Sequence, residues 1–148
     1  MGYIRDCFQN KGEERRLENK KQAKQIQLDK YYKSIINQDK CAVVICNLSH
    51  IIIDMNQAAI ERYAKQGGEK LIGQSIMDCH NAQSREKMEQ IVAWFGESAA
   101  HNIVYTFYNE KENKDVYMVA LRDGETLIGY YEKHEYRDKE TMKMYDLW

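Results

Sequence analysis

Cys79 and His80 stand side by side in a chain that has four cysteines and four histidines. A thiolate and an imidazole both ligate iron or zinc well, so this pair is where a metal ion, a haem or another cofactor would be held. The plainer use of the same residues is structural, with His80 hydrogen-bonding to fix an irregular segment and Cys79 packing as a small apolar group. Cys41 and Cys46 lie five positions apart in a run of strand formers. On one strand that spacing turns them to opposite faces, so they cannot share an ion and no structural zinc is expected.

Catalytic arrangements are harder to find. Gly68 to Ser75 has the spacing of a phosphate-binding loop, but Gln74 stands where the lysine is required and a helix precedes it rather than a strand. Nucleotide hydrolysis is therefore set aside. No Ser-His-Asp or paired-carboxylate arrangement stands out, and adjacency in sequence does not give Cys79 and His80 the geometry by which a base activates a nucleophile. The expectation is a protein that is not an enzyme. Tyr63 and Trp94 on helices, with Tyr105, Tyr117, Tyr108, Tyr130 and Tyr131 on strands, offer aromatic bodies with polar handles that suit a pocket lining. Ordinary core and interface packing is the alternative for each of them.

The elements that would position these residues follow from composition and periodicity. The 148 residues carry 22 basic and 23 acidic side chains, no proline, and 43% hydrophobic residues, which suits one small domain with helical extensions. The near-zero net charge gives no support to a nucleic-acid binder, and basic residues at 15, 16, 20, 21 and 24 are interleaved with Glu13, Glu14 and Glu18 as on a solvated helix face. The N-terminus has no apolar signal core and no apolar run approaches the roughly 20 residues that span a bilayer. A soluble, cytoplasmic protein with free thiols and no membrane contact is expected.

Lys11 to Gln38 is rich in Glu, Lys, Gln and Arg, which predicts one long helix. Its second half has an apolar face made by Leu28, Tyr31, Tyr32, Ile35 and Ile36. Cys41 to Cys46 and Ile51 to Met55 read as a hairpin, and Asn56 caps a helix that stops before Gly67. Glu69 to His80 reads as short turns. Ser84 is expected to cap a helix with Met88, Ile91, Val92 and Phe95 on one face. Three strands follow, Asn102 to Tyr108, Val116 to Arg122 and Thr126 to Lys133. The fold class is thus α+β, a five-stranded antiparallel sheet with helices on one face and a long N-terminal helix.

This order of elements resembles the PAS domain family over about residues 36 to 135. The hairpin Val43-Val44-Ile45-Cys46-Asn47 to Ile51-Ile52-Ile53-Asp54-Met55 matches, as does Asn56-Gln57-Ala58-Ala59, which looks like the family's Asn-x-x-Ala helix start. Leu71-Ile72-Gly73-Gln74-Ser75 looks like its Leu-(Ile/Val)-Gly-(Lys/Arg)-Ser segment. Leu121 to Tyr130 is similar to its last hairpin, with the acidic-glycine turn and the (Leu/Ile)-x-Gly strand. Asp78-Cys79-His80-Asn81 resembles PAS modules of bacterial hemerythrin-like regulators that carry Cys-His-Pro, with Asn81 in place of the proline.

The resemblance implies a sensory or dimerisation module with a pocket between sheet and midsection helices. It implies three segments: residues 1–35 as a helical extension, 36–135 as the PAS-like domain and 136–148 as a short tail. A flavin photoadduct is not expected. The place of the light-oxygen-voltage cysteine, counted from Gly73, holds Ile76, and Cys79 lacks the surrounding Arg, Phe and Gln. Haem is usually held in the family by a histidine of the helix that here spans about Ser84 to Phe95, which contains none, so His80 would be a displaced ligand. Three functions stay open. The first is a stand-alone sensor that homodimerises through the N-terminal helix and outer sheet face and takes a small ligand near Cys79, His80, Tyr63, Trp94, Tyr105 and Tyr117. The others are a ligand-free module that binds a signalling partner, and a haem or metal redox sensor using His80 and Cys79.

Overall fold

A computed structural model describes residues 3–138, with the side chains of residues 3–10 and of Ile26 outside the description. The Cys7 side chain and the greater part of the expected tail therefore lie outside the description. The chain divides after Gln38 into two units. The first is a single helix, α1 (Tyr3–Gln38). At 36 residues it is about 54 Å long at 1.5 Å per residue. Along it Tyr31, Tyr32 and Ile35 are exposed.

The second unit is built on a five-stranded sheet of order β2-β1-β5-β4-β3. Its strands are β1 (Val44–Asn47), β2 (Ile52–Met55), β3 (Ile103–Asn109), β4 (Lys114–Asp123) and β5 (Thr126–Tyr136). Every neighbouring pair is antiparallel. The first and last strands are therefore central partners, and the chain between β2 and β3 crosses one face of the sheet. That crossing contains α2 (Gln57–Arg62), three short 3-10 turns and α3 (Ala82–Glu97).

The β-branched residues expected to pair do so, with shifted ends. Cys41 precedes β1 rather than lying on it, so the two-face argument for Cys41 and Cys46 is replaced by a simpler one: both are buried, Cys46 in the apolar core and Cys41 beside Asp39 and Lys114. Burial pushes both thiols up to about 11, which keeps them protonated and poor metal ligands near neutral pH. Asn81, not Ser84, caps α3, because its side-chain oxygen accepts from the Ser84 backbone N–H at 2.8 Å. Lys114, expected in a turn, opens β4 and is 1% exposed.

One face of the sheet carries the core. Val44, Cys46, Ile52, Met55, Met118 and Tyr130 from the strands meet Ala59 of α2, Leu71 of the turns and Phe95 of α3. Met88, Ile91 and Val92 pack around that cluster, as the spacing on α3 requires. The β1–β5 pairing explains the (Leu/Ile)-x-Gly strand. Gly129 pairs with Asn47, and a Cβ there would collide with the Cys46 carbonyl oxygen.

Candidate functional site

Between the core face of the sheet and the midsection lies a cavity of about 360 Å³. That volume is at the lower end of the range for small-molecule sites. The sheet side supplies Ala42, Val44, Ile52 and Met55 from the first hairpin and Glu132 and His134 from β5. The roof supplies Tyr63, Gln66, Leu71, Ile76, Cys79 and His80. Half of these are aliphatic, so the cavity is apolar with a few polar groups set into it.

Local hydrogen bonding holds the roof in place. Gly73 sits at φ +90°, a left-handed conformation that glycine adopts without cost, and its N–H donates to the Ile52 carbonyl at 2.8 Å. The Ile52 N–H donates back to the Gln74 carbonyl at 2.9 Å, and the Ile76 N–H donates to the His50 carbonyl at 2.9 Å. Residues 73–76 thus run as a short antiparallel edge beside β2, which fixes the turn Ile76–Cys79 over the sheet. Ser75 caps that turn by accepting from the Met77 N–H.

His80 follows directly. Its Nδ1 lies 2.8 Å from the Ile76 carbonyl oxygen, which can only accept, so Nδ1 carries a proton and, in the neutral ring, Nε2 has the lone pair. Its own carbonyl accepts from Arg85 Nε at 2.8 Å. Cys79 lines the cavity yet is exposed overall. Among the described residues no three of His, Cys, Asp and Glu are grouped to hold a metal ion.

On the opposite wall the His134 side chain is 5% exposed and its Nε2 lies 2.9 Å from Glu132 Oε1. Its Nδ1 is buried with no hydrogen-bond partner. Tyr63 stands beside these groups, and burial, then the Glu132 charge, raises its phenol above the ordinary value.

The other expected pocket aromatics sit elsewhere. Trp94 stacks on His101 at 3.8 Å between ring centroids and does not line the cavity. Tyr105 and Tyr117 form an edge-to-face pair at 5.3 Å, with the Tyr105 hydroxyl donating to Asp115. Their strand parity puts them on the sheet face away from the core residues Met118 and Tyr130. The sequence reading missed Glu132 and His134 as cavity residues. The available signal was the alternation Tyr130, Glu132, His134 along one strand, of which ending that strand at Lys133 hid His134.

A PAS domain family model matches residues 40–131. The chain belongs to the PAS domain family. As a PAS domain it is, in general terms, a sensory or signalling module. The solved PAS domain of a protein from Colwellia psychrerythraea is similar, at 16% identity and a TM-score of 0.54, over 73% of this chain and 95% of that one. A C-terminal domain from Streptococcus mutans is similar at 17% identity and a TM-score of 0.54, over 70% of this chain and 81% of that one. These likenesses carry the fold alone. No curated protein matches the chain. Among the described residues no helix is long and apolar enough to cross a membrane.

Proposed function

We propose that this PAS module is a non-catalytic sensor that takes a small ligand in its inner cavity and signals through contacts made as a homodimer. The observation that carries the reading is the cavity of about 360 Å³, apolar with inset polar groups, between β5 and the midsection turns. A ligand there touches both the sheet and the irregular roof, so it acts on signalling only if it binds two arrangements of those parts unequally. The expected result of paired native and denaturing mass spectra is extra mass that is lost on denaturation. Bare protein in the native spectrum, together with no thermal stabilisation by any member of a small-molecule library, would overturn the reading. A Soret band lost in His80→Ala but kept in His101→Ala would turn it toward the haem sensor.

A second surface supports the homodimer. Ile103 and Tyr105 are about half exposed on the sheet face away from the core, and Ile53 is 54% exposed on β2. A partner protein on that face, rather than a second copy, is the alternative.

A further inference from the structure

Resting on the small-ligand reading above, we infer that the cavity selects hydrogen-bond donors, and that His134 Nδ1 is the atom that receives them. Glu132 can only accept as a carboxylate, so the proton shared across the 2.9 Å contact belongs to His134 Nε2. In the neutral ring this leaves Nδ1 as a lone pair, and that atom is buried without a partner. Such a group costs free energy until something donates to it. The cavity that His134 lines is the place from which a donor would come.

The second imidazole is set the same way by a different contact. The Ile76 carbonyl accepts from the His80 Nδ1–H, so in the neutral ring His80 Nε2 is also a lone pair. With the Glu132 carboxylate these make three acceptors on the lining, beside which stand the Tyr63 hydroxyl, the Gln66 amide and the Cys79 thiol as donors. At His134, His80 and Glu132 a carboxylate ligand would meet lone pairs and a like charge. A compact, mainly apolar molecule with an O–H or N–H, such as a phenol, an indole or an amine, would meet complementary groups. This assigns a ligand class to a site whose residues at 132 and 134 were not legible as binding residues.

Phenol and toluene test it, since they differ by one hydroxyl against one methyl. The intact protein is titrated with each while the methyl resonances of Val44 and Ile52 report cavity binding, and nitrogen-15 shifts report His134. Phenol is expected to move the Nδ1 resonance in the direction of an accepted hydrogen bond, and toluene to leave it. The phenol preference over toluene is expected to fall about tenfold in His134→Phe, the worth of one hydrogen bond, with intrinsic hydrophobicity cancelled by the comparison. If that variant does not fold, the nitrogen shift in the natural chain decides alone. Both probes binding with Nδ1 unmoved would overturn the anchor and leave the cavity reading standing. Benzoate binding with a proton appearing on Nδ1 would also overturn it. No methyl shift with any probe would overturn both.

Discussion

Asn56 does the work of two residues. Its Oδ1 accepts from the Ala59 N–H at 2.9 Å, capping α2, and from the Val43 N–H at 2.8 Å. Its Nδ2 donates to the Cys41 carbonyl at 2.9 Å, so the segment before β1 is latched to the start of α2. The side chain is fully buried, and Ala42 and Val44 beside the latch line the cavity. Asn56→Ala removes the cap and leaves buried backbone groups unsatisfied, for an expected loss of about 3 kcal/mol in urea unfolding. Asn56→Asp keeps the acceptor but loses the donor to Cys41, so it should recover only part of that loss. Full recovery would remove the Cys41 contact from the account. The cap half of this role is legible in the sequence, since Asn before a helix start has few other uses. The latch half is not, because it depends on where Cys41 arrives in space. His134 failed to show for a similar reason: its parity is readable only once β5 is known to continue past Lys133.

At the scale of elements, a charged knot joins α2 to the β3–β4 turn. The Arg62 guanidinium donates to both Glu112 oxygens at 2.7 and 2.9 Å, and Lys114 Nζ lies 2.9 Å from Oε2. Arg62, then Lys114, holds the Glu112 carboxyl well down, from 4.5 to about 2. The contact with Arg62 is partly exposed and screened, whereas Lys114 is nearly fully buried and would lose its counter-ion. Glu112→Gln should therefore cost about 2 kcal/mol at pH 7. A carboxyl held lower in the folded state stabilises above its unfolded value and loses that effect as pH falls. The gap between natural chain and variant should thus be full above pH 4.5 and close toward pH 2 in denaturant melts. A gap that does not change with pH would remove Glu112 ionisation from the account. Strand and helix existence was legible from β-branched runs and from the apolar spacing of α3. The ends were not, because a carboxylate in the turn draws Lys114 into the sheet and Asn81 outcompetes Ser84 as a cap.

For the whole molecule, the outer sheet face carries the homodimer contacts proposed above. Ile45, Tyr131, Val119 and Ile103 are register partners in sequence across four strands, making one apolar row, with Tyr117 and Tyr105 in the next. A homodimer that closes this row and uses α1 would bury Ile103, now half exposed on an edge strand. Glutamate at such a site forfeits the burial of an isoleucine and adds a charge, roughly 2 kcal/mol, so Ile103→Glu should raise the dimer dissociation constant by at least about tenfold. The edge position keeps the fold itself largely insensitive to the change. Deleting residues 1–30 should weaken the dimer independently, because the apolar stripe of α1 would lose Leu28 and the turns before it. Sedimentation measures both. A dimer unaffected by either change would assign the outer face to a different partner, whereas loss in Ile103→Glu alone would place the interface on the sheet and leave α1 to another role.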